Sequence, residues 1–250
     1  MTAALRTNNL SKRFGGLAAA DGVTLDIDKG ARHALIGPNG AGKTTLINLL
    51  SGVLEPSAGT IHLEGHDITA LAPHRRVQRG LVRTFQINQL FTTLTPLAAL
   101  SIAVARTLGR SARWWRPLDR DAEVAAESER LLAQFSLGDV QHRRTLELPY
   151  GKRRLLEIAL AIACNPRVLL LDEPAAGVPA GERHEIFDSL ARLPEHVSVL
   201  LIEHDMDLVF NFASRVTVLV NGAVYADGDV RAIAADERVK AVYLGQAPHG

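Results

Sequence analysis

Residues Gly37-Pro38-Asn39-Gly40-Ala41-Gly42-Lys43-Thr44-Thr45 match the pattern G-x-x-x-x-G-K-T, between an apolar segment, 31–36, and a segment with helical spacing, 44–50. Glycines at 37, 40 and 42 allow the backbone to curl so that successive N–H groups converge, and the helix that follows points its positive end at the same place. This arrangement binds phosphate. The backbone of Gly37, Asn39, Gly40, Ala41, Gly42 and Thr45 would surround the phosphates, Lys43 would reach the β- and γ-phosphates, and the Thr44 hydroxyl would ligate Mg²⁺. A second constellation is the apolar run 168–171, which delivers Asp172 and Glu173 at its end. Two adjacent acids there are costly without a positive charge nearby, which Mg²⁺ beside the phosphate loop supplies. Asp172 is then expected to hold the metal, mostly through water, and Glu173 to polarise an attacking water as general base. His204 follows another apolar strand, 197–202, and so belongs at the same sheet edge as Lys43 and Asp172, in reach of a γ-phosphate or of the base.

These residues need a scaffold of buried strands, and the chain supplies the pattern for one. Residues 5–28 alternate with a period of two, clearest in Val23, Leu25 and Ile27 against Thr24, Asp26 and Asp28, as in antiparallel strands. Phe14, beside Gly15 and Gly16, could pack in the core or stack on a base, and the sequence leaves both open. Gly52 is placed to cap the first helix, a turn at 56–59 leads into a strand over 60–64, and a short helix spans 72–79. Gln86 ends an apolar strand, where an amide can reach a metal or water, or serve only as a surface residue. From 87 to 165 strand patterns give way to helices: one after Thr95-Pro96 to about 107, one over 120–135, and one after Leu148-Pro149-Tyr150-Gly151-Lys152 that Asn165-Pro166 stops. Trp114 and Trp115 lie in a polar loop between the first two, suited to packing under that loop or to marking a partner surface. A helix over 182–193, a hairpin around Asn221-Gly222 and a helical, amphipathic end from about 230 to 244 complete the pattern.

Composition narrows the function class. With 28 basic and 27 acidic residues the net charge is +1, too near neutral for a nucleic-acid surface, and the cluster Arg75, Arg76, Arg79 and Arg83 reads as a solvated helix face. Cys164 is the only cysteine, which rules out an internal disulfide and fits packing in a helix. No apolar run approaches the ~20 residues that span a bilayer, and residues 1–9 lack the apolar core of a secretory signal, so a soluble cytoplasmic chain is expected. An Asn-Lys-x-Asp base-reading motif is missing, which argues against a GTPase.

In their order, Phe14, the loop 37–45, Gln86, Leu148 to Lys152, Leu171-Asp172-Glu173-Pro174 and His204 resemble the nucleotide-binding subunit of ABC transporters. Within that family, Arg13-Phe14-Gly15-Gly16, Arg83-Thr84-Phe85-Gln86, Ile202-Glu203-His204-Asp205-Met206 and Tyr243-Leu244-Gly245 look most like the LivG-type ATPase of branched-chain amino acid importers. The resemblance implies one ABC ATPase domain over 1–250 with an α/β fold of the P-loop NTPase class. It would have a RecA-like core and antiparallel β subdomain over 1–86 and 166–250, and an inserted helical subdomain with the signature over 87–165. It implies ATP and Mg²⁺ as ligands, Thr44, Gln86 and Asp172 around the metal, and Phe14 on the adenine. The implied catalytic group is Glu173, His204, Lys43 and Gln86, and Tyr150 and Gly151 would serve nucleotide across a pair of cassettes. The implied partners are two integral membrane permeases, a second ABC ATPase and an extracytoplasmic solute-binding protein, with the chain peripheral on the inner face of the membrane. Residues 87–95 are the expected permease contact. An exporter ATPase or a soluble ABC ATPase outside transport would share the core chemistry.

The sequence departs from the family at the signature and after Glu173. The usual Leu-Ser-Gly-Gly-Gln, relaxed in the LivG type to Leu-Ala-Tyr-Gly-Gln, is Leu148-Pro149-Tyr150-Gly151-Lys152 here. Pro149 has neither hydroxyl nor N–H to offer a γ-phosphate, while the Gly151 N–H and the helix dipole, worth about 0.3–1 kcal/mol for an anion, remain. Lys152 puts a charge where the family has an amide. Pro179 stands where the family has an Asp or Asn that reads the opposite site. The expectation is an asymmetric pair, in which this chain's own loop supports hydrolysis and its signature serves the partner poorly.

Overall fold

Residues 3–84, 91–110 and 121–243 are described in the computed structural model, so Phe85, Gln86, Trp114, Trp115, Leu244 and Gly245 lie outside the described residues. In chain order the elements are β1 (Ala3–Phe14), β2 (Leu17–Asp28), β3 (Arg32–Ile36), α1 (Lys43–Ser51), β4 (Ala58–Leu63), β5 (His66–Asp67), α2 (Pro73–Gln78), β6 (Leu81–Arg83), α3 (Pro96–Thr107), α4 (Ala122–Gln134), α5 (Tyr150–Ala163), β7 (Val168–Asp172), α6 (Ala180–Ala191), β8 (Ser198–Ile202), α7 (Met206–Phe212), β9 (Arg215–Val220), β10 (Ala223–Asp229), α8 (Val230–Ala235) and α9 (Glu237–Tyr243). They divide into two compact units: Met1–Val82 with Arg167–Glu173 and Glu195–Gly250, and Arg83–Pro166 with Pro174–Pro194.

The first unit follows from two strand patterns. Alternation in β1 and β2 makes an antiparallel pair with Val23, Leu25 and Ile27 buried, in a sheet of order β2-β1-β4-β5. The runs in β7 and β8 are buried on both faces, which suits parallel strands, and they lie in a second sheet of order β10-β9-β3-β8-β7-β6. β3 pairs in parallel with β8 and β9, and β7 with β8. The hairpin of β9 and β10 turns on Asn221 and Gly222, both at positive φ as a two-residue turn of this kind requires. The carboxyl ends of β3, β7 and β8 therefore carry the phosphate loop, the two acids and His204 on one edge.

Helices account for the second unit. The Thr95 side chain accepts the Ala98 N–H and Pro96 occupies the first turn of α3, while Asp121 accepts the Glu123 and Val124 N–H groups at the start of α4. Leu100, Val104, Val124, Leu131, Phe135, Leu155 and Ile158 fill the space among α3, α4 and α5. Cys164 closes α5, half-buried, and burial pushes its thiol pKa up, so it stays an inert thiol.

The structure goes beyond the sequence expectations in two places and corrects one. The end is helical as expected but divides into two helices over 230–243, because the Asp236 carboxylate accepts the Arg238 N–H and holds its own backbone extended. α7, capped by Asp205 on the Leu208 N–H, has too few residues for a periodic signal. The basic cluster is not a uniform solvated face, since Arg76 is buried and donates to the carbonyls of Leu49, Leu50, Thr69 and Leu71. Two of these acceptors are last-turn carbonyls of α1, of which Leu49 O also accepts the Gly52 N–H at 3.2 Å, and a cation there also suits the helix dipole. Burial lowers the Arg76 pKa, yet the group is a guanidinium and stays charged. Arg76→Leu is expected to cost on the order of 3 kcal/mol. Thermal melting should show this as a fall of roughly 6–12 °C. A change within two degrees would mean that water replaces the guanidinium at the end of α1.

Candidate functional site

The phosphate loop leaves β3 at Gly37, where φ is +153° and a Cβ would stand 2.3 Å from the Leu219 carbonyl oxygen. It enters α1 at Gly42, where φ is +99° and a Cβ would stand 2.3 Å from the Ala19 carbonyl oxygen. Both positions exclude any side chain by contact as well as by conformation. The turn is closed by the Ala41 N–H to Pro38 O bond of 3.2 Å, and the hairpin tip braces it through Gly222 N–H to Ala41 O at 3.0 Å. No side chain caps the N-terminus of α1 and no acid occupies its first turn. Its leading N–H groups are thus left for an anion.

Lys43 lies inside this loop, with Nζ donating to Gly37 O at 2.6 Å and Pro38 O at 3.0 Å. Burial lowers its pKa, and the carboxylates of Glu173 and Asp172 oppose that shift. The ammonium is therefore pre-placed, charged and held by two carbonyls that a phosphate can replace. Thr44 is exposed in the first turn of α1. Asp172, the last residue of β7, pairs with Ile202 of β8.

Glu173 leaves the sheet abruptly. Its N–H donates to Ile202 O at 2.9 Å, and its φ is +48°, a left-handed conformation that an L side chain rarely adopts. The following Pro174 further disfavours helical conformations at this residue. Strain of this kind, on the order of 1–3 kcal/mol, persists where surrounding structure fixes it. Here it turns the Glu173 carboxylate to within 3.7 Å of His204 Nδ1, with the Glu173 side chain 43% and the His204 side chain 66% exposed. That separation is electrostatic contact rather than a hydrogen bond. Nothing in the spacing singles out Glu203, which the structure buries at 1% exposure, with its carboxylate accepting the His204 N–H at 3.2 Å. Its only sequence mark is a charged residue directly after the apolar run 199–202.

Phe14 ends β1 with its ring 48% exposed and the Lys12 ammonium 5.4 Å from the ring centroid. Of its two uses, core packing is therefore not the one the fold makes. In the second unit, Pro149 caps α5 and Tyr150, Gly151 and Lys152 form its first turn. Lys152 does not offer its charge to solvent. Its Nζ donates to Ser136 O at 2.6 Å and to Glu185 Oε1 at 3.2 Å, so the departure from an amide is absorbed by an ion pair with α6. No helix among the described residues is long and apolar enough to cross a membrane.

The ABC transporter family profile matches residues 20–176. The chain is 40% identical over 253 residues to BraF of Pseudomonas aeruginosa, a high-affinity branched-chain amino acid transport ATP-binding protein, across 97% of this chain and 98% of that protein. It is 38% identical over 251 residues to LivG of Salmonella typhimurium, which carries the same description, across 97% and 98%. Among solved structures, an ATP-binding cassette of an ABC transporter in its ADP conformation superposes with a TM-score of 0.84 at 32% identity, across 98% of this chain and 100% of that one. A nucleotide-free ATP-binding cassette superposes with a TM-score of 0.83 at 32% identity, across 96% and 98%. The loop that cradles phosphate, the paired acids at the end of β7 and the end-to-end likeness agree: this chain belongs to the ATP-binding cassette family of ABC transporters and is an ATPase of that family.

Proposed function

We propose that the chain powers an importer of branched-chain amino acids or a related small polar solute. The observation that carries this is the likeness to branched-chain amino acid transport ATP-binding proteins along 97% of the chain. The chain works on the cytoplasmic face of the membrane against two integral permeases, with an extracytoplasmic solute-binding protein delivering the cargo. A second ABC ATPase pairs with it. A hetero-pair is favoured, because Pro149 and Pro179 weaken what this chain offers a partner's nucleotide while its own loop and acids are complete.

ATP lies along the loop, its phosphates taking the N–H groups at the start of α1 and its adenine stacking on the exposed Phe14 ring. Lys43 exchanges the Gly37 and Pro38 carbonyls for the β- and γ-phosphates. Glu173 takes the proton of the attacking water, and His204, 3.7 Å away, orients that carboxylate or meets the γ-phosphate. Thr44 and Asp172 would supply oxygen donors that suit Mg²⁺, and Gln86, the third expected donor, lies outside the described residues. Mg²⁺, when bound, would neutralise charge on the β- and γ-phosphates.

The test is to tag the chain at native level, solubilise membranes gently and identify what copurifies. Two multi-span permeases, a second cassette ATPase and a solute-binding protein are the expected result. Recovery of an export channel without a binding protein, or of soluble and nucleic-acid-associated partners only, would overturn the importer while leaving the ATPase in place.

A further inference from the structure

Three consecutive signature residues face the stretch of chain that follows Glu173. The Tyr150 hydroxyl donates to Ala176 O at 3.1 Å. Its ring lies against Gly177, where φ is +74° and a Cβ would stand 3.1 Å from Oη and 3.2 Å from Cζ, so a side chain there would be strained and would press on the ring. A Cβ on Gly151 would meet the Glu182 carboxylate at 2.5 Å, and Lys152 pairs with Glu185. The tyrosine is itself held: the Arg154 guanidinium carbon lies 5.7 Å from its ring centroid, and Arg154 is ion-paired at 2.8 Å with Glu157, both of them buried. Arg154 Nε and Glu157 Oε1 have no partner among the described residues, so the pair is directed by packing around Tyr150 rather than by a wider polar network.

We infer that Tyr150 is a positioning residue for ATP hydrolysis, fixing the Ala176–Gly177 bend and so the course of the chain as it leaves the general base Glu173. The inference rests on the reading of Glu173 given above. Ala176 is three residues beyond Glu173, whose backbone is strained and therefore needs support on both sides. Upstream, the support is the bond from Glu173 N–H to Ile202 O. Downstream, it is Tyr150. The signature helix thus also holds the segment that continues from this chain's own base.

The experiment is steady-state hydrolysis by the assembled transporter with wild-type chain, Tyr150→Phe, Gly177→Ala and the double variant, together with thermal melting of each. Tyr150→Phe keeps the ring and removes one hydrogen bond. It should lower kcat about five-fold, with KM for ATP within two-fold and melting unchanged. Gly177→Ala displaces the ring and should lower kcat by a similar or larger factor. The double variant should be no worse than the poorer single one, because both break the same contact. Full turnover in Tyr150→Phe, or effects that multiply in the double variant, would overturn the inference. So would a rise in KM at constant kcat, which would make Tyr150 a nucleotide contact. Turnover near wild type in Glu173→Gln, run alongside, would instead sink the reading of Glu173, and this inference with it.

Discussion

Glu173→Gln in the assembled transporter is expected to lower ATP turnover by about 10²-fold or more while leaving ATP bound. The substitution keeps the length and shape of the side chain and removes its charge and with it its capacity to take a proton. The backbone at this residue has φ +48°, and glutamine inherits that strain unchanged, so melting should not move by more than a degree or two. Lys43 loses one of the two carboxylates that oppose the lowering of its pKa by burial, yet Asp172 remains. Binding through the loop N–H groups is untouched. Equilibrium binding of a fluorescent ATP analogue beside single-turnover hydrolysis separates the two effects. Turnover near wild type would remove Glu173 as the base and leave His204, 3.7 Å away and exposed, as the group to examine next.

The legible parts of this site are those whose residues are neighbours in the chain. The loop 37–45 carries its own glycines, and the acids at 172 and 173 terminate a run that can only be a buried strand. The Asn221-Gly222 turn and the Thr95-Pro96 cap depend on local backbone chemistry and emerged where the pattern placed them. What could not be read depends on distant partners. Arg76 looks like one of four surface arginines until the carbonyls of Leu49 and Leu50, 27 and 26 residues away, receive it. Lys152 reads as a damaged signature until Glu185, 33 residues on, takes its charge. Tyr150 and Gly177 are ordinary residue types whose contact exists only in three dimensions. Short elements fail for a different reason: α7 has seven residues and β5 two, less than the window over which a period can be detected.

Stability is expected to fall steeply between pH 6.5 and pH 4 because of one histidine in the strand that carries the phosphate loop. His33 in β3 is fully buried, with Nε2 2.7 Å from Thr217 Oγ1, which lies 3.1 Å from Asp227 Oδ1. Arg215 holds the same carboxylate through two bonds, at 3.1 and 2.7 Å. A carboxylate only accepts, so the Thr217 hydroxyl donates to Asp227 and accepts from His33 Nε2–H. The tautomer is thereby fixed, and Nδ1 is a buried acceptor with no partner among the described residues. Protonation would place a charge there without an acceptor for it. Burial accordingly pushes the His33 pKa down to about 4, with Asp227 and Asp28 pulling the other way and Arg215 adding to the depression. The unfolded value is near 6.5, so the contribution is present in full above 6.5 and is lost as pH falls towards the folded value. The whole shift corresponds to about 3 kcal/mol, and about 2 kcal/mol of it is lost by pH 5. That is a large part of the 5–15 kcal/mol typical of a folded chain. His33→Gln keeps a donor for Thr217 and cannot titrate. Urea unfolding from pH 7.5 to 4.5 should therefore show the variant less stable at neutral pH but with a flatter decline, the curves converging in acid. Parallel curves would show that the histidine is solvated in the folded chain and that carboxylates alone set its acid limit.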